Sequence, residues 1–301
     1  MKWVKKGLIF KPEGQYEWVM THAMLPVADH ISGDLYRIYF SGRDKFNRSL
    51  TGYVEIDIND PQKILKISPK PVLELGSLGA FDDNGVSPTW IVNHLGQKYL
   101  YYFGWNKGSL VRAAEVSGLA ISSDDGGSFH RYSRAPIIDR TDAEPYQILV
   151  ISCILIENNV WRMWYDSADE WQTPELPRYN IKYAESTDGI TWVRRGIVSV
   201  DYKSRDESRV SRASVIKEDG IYKMWHCYAM NSGGYRMGYA ESADGYHFIR
   251  KDDNLTIQVS SEGWDSEMVC YPYVFHHKGQ KIMLYCGNGY GRSGFGMAVM
   301  E

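Results

Sequence analysis

No run of about 18 apolar residues occurs in this chain, the length a membrane-spanning helix needs. The N-terminus starts basic but has neither an uninterrupted apolar segment nor a small-residue cleavage site. No secretion signal is read, and a cytoplasmic location is expected. The four cysteines, Cys153, Cys227, Cys270 and Cys286, lack CxxC spacing and sit in apolar strand patterns. They read as buried free thiols rather than as disulfides or a metal site. A Gly-rich nucleotide loop, a metal-binding helix and a nucleophile elbow are all missing. Helical periodicity is almost absent, which excludes solenoids of helix pairs. A net charge of -3 argues against a nucleic-acid surface. Phenylalanine is scarce as well, with 9 Phe against 22 Tyr and 10 Trp, so most rings carry a polar handle. Such rings suit strands and sugar-binding surfaces. The remaining composition, 44% hydrophobic and 24% charged over 301 residues, is that of a globular chain able to bury a core.

What is present is a repeat. The segments SGDLYRIYF, LGQKYLYYF, ENNVWRMWY, EDGIYKMWH and KGQKIMLYC each join a tight turn to a strand of aromatic character. Their turn residues, Gly33, Gly96, Asn159, Gly220 and Gly279, are separated by 63, 63, 61 and 59 positions. All five tolerate the positive φ that a two-residue hairpin turn demands. In the three middle repeats a second motif, S-x-D-G-x-x-[W/F], starts at Ser123, Ser186 and Ser242. Its aspartates cap their own turns and are read as scaffold. Each period therefore holds four strands, and five periods predict an all-β, five-bladed β-propeller in one domain spanning 1–301. The blades are placed at about 18–75, 82–139, 144–201, 206–258 and 264–301. The fifth repeat stops after a third strand, while Lys2 to Ile9 resembles the outer-strand segment Thr191 to Val198. Residues 1–10 are thus expected to supply the missing outer strand of the last blade.

Topology places the starts of the inner strands and the loops between second and third strands on one face. The inner-strand starts carry His22 in blade 1, Asp82 and Asp83 in blade 2, Glu144 in blade 3, Glu207 in blade 4, and Asp265 and Glu267 in blade 5. Carboxylates at four of five equivalent points are expected to converge on the axis, where like charges raise one another's pKa. With His22, they offer a possible seat for a divalent ion such as calcium, although no cofactor is required. The loops of this face add Arg43, Trp105, Asp166, Trp171, Tyr290 and Arg292, and the fourth inner strand adds Arg209 and Arg212. Aromatic platforms mixed with planar hydrogen-bonding groups suit a carbohydrate.

The five repeats, the N-terminal closure, the inner-strand acids and segments such as FDDNGVSP, YAESTDGITW and WDSEMVCYPYVF resemble the five-bladed propeller glycosidases. These include glycoside hydrolase families 43 and 32 and the mannoside phosphorylases of family 130. The resemblance implies a glycosidic-bond enzyme with three cooperating carboxylates. Carried onto this chain, it implies Glu207 as general acid with Glu144 and Asp83 as partners. Where those hydrolases usually have an aspartate in blade 1, this chain has Thr21-His22. Two rivals stay open: a glycoside phosphorylase holding phosphate on Arg43, Arg209, Arg212 or Arg292, and a propeller that binds glycans without cleaving them.

Overall fold

The computed structural model describes residues 2–255 and 257–301. Met1 and Thr256, which fall in the expected first strand and fourth repeat, lie outside the described residues. The fold is all-β. Strand β1 (Trp3–Phe10) is followed by an antiparallel set of β2 (Thr21–Ser32), β3 (Leu35–Arg43), β4 (Ser49–Asp57) and β5 (Asp60–Ile67). A second set comprises β6 (Val86–His94), β7 (Gln97–Lys107), β8 (Ala113–Ser122) and β9 (His130–Arg131). The third holds β10 (Ile148–Glu157), β11 (Val160–Thr173), β12 (Leu176–Ser186) and β13 (Val193–Val200). In the fourth are β14 (Glu207–Glu218), β15 (Ile221–Met230), β16 (Arg236–Ser242) and β17 (Ile249–Arg250). The last set has β18 (Cys270–His277), β19 (Gln280–Cys286) and β20 (Phe295–Met300), and β1 completes it. Its register runs from Trp3 opposite Met300 to Phe10 opposite Phe295.

The first strands of successive sets touch in order: β2 with β6, β6 with β10, β10 with β14, β14 with β18, and β18 with β2. Among the described residues no hydrogen-bonded sheet closes on itself. Short parallel bridges join β8 to β10 and β12 to β14, and an isolated one joins Ser49 to Gly85, so the sets meet mainly through side chains. Each first strand also slips register, as at Pro88/Trp90, Ile151/Cys153, Ser211/Ser214 and Cys270/Tyr273. A bulge of this kind bends the strand and re-aims its side chains.

The surplus of Tyr and Trp over Phe has a structural use. Tyr39 OH donates to the Gly126 carbonyl at 2.9 Å, Tyr101 OH to Gly189 at 2.8 Å and Trp164 Nε1 to Gly245 at 3.0 Å. In each case the second strand of one set grips the Asp-Gly turn of the next. A buried ring thereby supplies both apolar area and a satisfied polar tip. In the turns, Ser186 Oγ donates to Asp188 and accepts from the Gly189 N–H, and Ser242 serves Asp244 and Gly245 in the same way. The second set differs from the expected register by one residue. There Ser122 and Asp124, not Ser123 and Asp125, make these bonds, and Asp125 takes up the inserted position with φ 57.

Candidate functional site

The carboxylates expected to converge do not meet. Asp82 accepts from Tyr102 OH at 3.0 Å and Arg131 Nε at 2.8 Å. Glu144 accepts from Tyr165 OH at 2.9 Å, Ser167 Oγ at 2.8 Å and Arg194 Nη1 at 2.8 Å. Glu207 is gripped by both arms of Arg250, and Asp265 by Lys5 at 2.6 Å and Tyr285 OH at 3.0 Å. The pattern is one clamp in each of the last four sets: an acid leading into the first strand, a tyrosine on the second, a cation on the fourth. In the fourth set the tyrosine position is held by the fully buried His226. Each acid is almost wholly buried, and an ionised carboxylate so placed is tolerated because it is paired. Asp83 closes its own loop, accepting from the Asn106 side chain and the Gly79 N–H. Glu267 is exposed, with its backbone N–H on Asn288. Trp171 packs beside Ile148, Val150 and Tyr179.

The other expected residues do come together. His22, Arg43, Trp105, Arg209 and Tyr290 line a cavity of about 410 Å³, a size that suits a small ligand. Asp166 and Arg212 line a cavity of about 60 Å³ that shares Glu115, Tyr179, Tyr235 and Tyr271 with the larger one. Arg292 is near enough to bear on His22. Burial, then Arg43 and Arg292, push the His22 imidazole down to about 4, so it is neutral at pH 7. Trp105 reaches its place because the residue beneath it is Gly85; a Cβ there would lie 1.9 Å from the indole Nε1.

Four aromatic residues and two charged ones at this site were not anticipated from the sequence: Phe103, Tyr179, Tyr235, Tyr271, Arg112 and Glu115. A signal for some of them exists in the repeat. Glu115, Tyr179 and Tyr235 each stand seven residues before the turn serines Ser122, Ser186 and Ser242. Two sets place tyrosine there and one places glutamate. Tyr179 and Tyr235 share a very short bond between their hydroxyls.

Two acids, Glu115 and Asp166, stand on the cavity walls. Glu115 keeps a partial exposure through the cavity and is otherwise enclosed. Burial raises its pKa, and Arg112 and Arg43 oppose that rise. Asp166 accepts from the Arg212 backbone N–H and from Ser152 Oγ, both at 3.0 Å. Burial outweighs these bonds and pushes its carboxyl up to about 7, with a further rise from Glu115. Among the described residues, no group of three or more His, Cys, Asp and Glu could hold a metal ion. The clamps keep the acids apart, and the cavity wall is rich in arginine, which repels a cation.

No family model matches the chain. Two curated proteins of Mycobacterium tuberculosis, Uncharacterized protein MT1551 and Uncharacterized protein Rv1502, are 42% identical over 303 aligned residues, covering 100% of each chain. Among solved structures, one described as a glycoside hydrolase superposes with a TM-score of 0.73 at 17% identity, covering 98% of this chain and 90% of its own. A thermostable family-43 glycoside hydrolase gives 0.69 at 15% identity over 93% of this chain and 88% of its own. A third comes from the family-130 mannoside phosphorylases, described as containing hydrolases that target β-1,2 mannosidic linkages in Candida mannan. It gives 0.70 at 15% identity over 99% and 90%. These likenesses show the glycosidase propeller-like fold. Among the described residues no helix is long and apolar enough to cross a membrane.

Proposed function

The chain belongs to one family with Uncharacterized protein Rv1502 of Mycobacterium tuberculosis, and from its glycosidase propeller-like fold and its cavity we propose that it is an enzyme acting on a glycosidic bond. The five four-stranded sets are the blades of one five-bladed propeller, completed by the N-terminal strand, and the carbohydrate binds in the arginine-lined cavity. The observation that carries this reading is Glu115, a carboxyl group on the wall of a ligand-sized cavity beside the aromatic faces of Trp105 and Tyr290.

Breaking a glycosidic bond requires a proton for the leaving oxygen and a stabilised oxocarbenium-like centre. Burial favours the protonated form of Glu115, which makes it the general acid. Asp166 stands behind it on the smaller cavity, its carboxyl pushed up to about 7 by burial with a further contribution from Glu115. Trp105 and Tyr290 offer faces on which the C–H side of a sugar ring stacks. Glu144, Glu207, Asp82 and Asp265 hold the blades together in this reading, and Asp83 holds its loop.

The test is product release from a panel of oligosaccharides and aryl glycosides, with and without phosphate, by the wild type, Glu115→Gln and Glu207→Gln. Release that vanishes in folded Glu115→Gln and persists in folded Glu207→Gln supports the assignment. A requirement for phosphate identifies phosphorolysis. Glycan binding without release from any substrate identifies a binding protein and ends the enzymatic reading.

A further inference from the structure

The floor of the cavity holds more cationic hydrogen-bonding capacity than the protein uses. Arg212 is 2% exposed, sits on the β14 bulge with φ 60, and lines the smaller cavity. None of its three guanidinium nitrogens, Nε, Nη1 and Nη2, has a hydrogen-bond partner among the described residues. The nearby acid does not serve them: Asp166 Oδ1 accepts from the Arg212 backbone and from Ser152. The Nε groups of Arg43 and Arg209, on the wall of the larger cavity, are also buried and without partners among the described residues. Arg43 spends Nη1 on Asn47, while Arg209 spends its outer nitrogens on Tyr290 OH and two backbone carbonyls.

A guanidinium carries five donors in a planar fork that matches a carboxylate or phosphoryl group, and leaving such donors buried and unmade is costly. Three arginines with unmade donors around connected cavities indicate a ligand that brings its own acceptors and negative charge. We propose that the floor of the pocket is an oxyanion subsite, in which Arg43, Arg209 and Arg212 bind a carboxylate or phosphoryl group. The proposal rests on the carbohydrate reading for what else fills the cavity. The anion is then either part of an acidic sugar or a free phosphate bound beside a neutral one. The tyrosines around it remain neutral donors, since burial raises the hydroxyl pKa of Tyr179, Tyr235 and Tyr271.

The experiment is titration calorimetry at fixed ionic strength with inorganic phosphate, glucuronate, glucose and a panel of neutral oligosaccharides. It uses the wild type, Arg43→Gln and Arg209→Gln, two positions that are only partly buried, each checked for an unchanged melting temperature. Saturable 1:1 binding of an anion is expected, with glucose much weaker than glucuronate. Each folded variant should weaken the anion about 10- to 100-fold, the loss that one hydrogen bond to a charged group represents. Phosphate alone identifies a free phosphate site; glucuronate alone identifies an acidic sugar. Anion binding untouched in both folded variants overturns the proposal, as does binding of neutral oligosaccharides with no anion bound. Anion binding with no response to any glycan keeps the subsite and removes the carbohydrate reading instead. Silence with every probe overturns both.

Discussion

Arg250 grips Glu207 with both arms of its guanidinium, Nη1 to Oε2 at 2.7 Å and Nη2 to Oε1 at 2.9 Å. The same arginine donates to the Asp201 carbonyl at 3.2 Å, so it ties the short outer strand β17 to the segment that leads into β14. A carboxylate held this way is a structural strut. Its Oε2 also accepts from the Lys203 backbone N–H at 2.6 Å, and it does not line the cavity that holds Glu115.

Glu207→Ala is therefore expected to leave Arg250 buried with one partner fewer and to lower stability by about 3–5 kcal/mol, the cost of breaking a buried pair. Urea unfolding measures this, and specific activity normalised to the folded fraction should stay at the wild-type level. A folded Glu207 variant without turnover would return this residue to the catalytic role that its position in the repeat suggests.

Glu115→Gln is expected to reverse that pattern. The amide keeps the shape and loses the proton, so turnover should fall by about 10²–10⁴, the range for removing a general acid. Folding should be little changed, or slightly improved, because a buried acid has been replaced by a neutral group. An active Glu115→Gln would move the proton donor elsewhere in the cavity.

Asp166 should make stability fall with rising pH. Its folded pKa, about 7, lies above its ordinary value of 3.8. Below pH 3.8 the group is protonated in both states and its favourable contribution is fully present. That contribution is lost as pH rises through 7, because the unfolded chain releases a proton that the fold retains. Ser152, Arg212 and Glu115 are the groups that bear on it. Unfolding midpoints between about pH 4 and 8, compared for wild type and Asp166→Asn, should show a downward slope that the variant flattens. Parallel curves would show that Asp166 is ionised throughout.

The grip of one blade on the next turn can be tested at Gly189, which has φ +72. A Cβ there would lie 2.8 Å from Tyr101 OH and 2.6 Å from the Trp161 ring. Gly189→Ala is expected to cost about 1–3 kcal/mol from the left-handed backbone, with crowding added. Tyr101→Phe removes only the hydrogen bond and should cost about 1 kcal/mol, more if the Gly189 carbonyl stays dry. Chemical denaturation of the two variants orders these effects. Equal, negligible losses would mean that the ring-to-turn contacts do not hold neighbouring blades together.

Much of the architecture was legible locally. A tight turn, an alternating strand and a Ser-Asp-Gly reversal need only neighbouring residues, so the repeat reported the strand sets directly. The likeness of Lys2–Ile9 to an outer strand likewise announced the pairing of β1 with β20. That His22, Arg43, Trp105, Arg209 and Tyr290 lie at one cavity was also legible, because strand ends and loops that leave the sheets on one face are brought together by the topology. Glu115 was not. It stands at the start of a third strand, in a repeat position where the other two motif-bearing sets carry Tyr179 and Tyr235. Nothing within a few residues of it distinguishes a cavity wall from a blade edge.

The sequence by itself determined the strands, their turns and the order in which they pair, since those choices are made by short-range backbone preference and by alternation of apolar side chains. Only the tertiary structure decided which acids are struts and which face the cavity. Arg131, Arg194 and Arg250 lie 49, 50 and 43 residues from the carboxylates they neutralise, and Lys5 lies 260 residues from Asp265. A carboxylate becomes structural or available for chemistry according to whether a cation reaches it, and that partner is brought into place by the closing of each sheet.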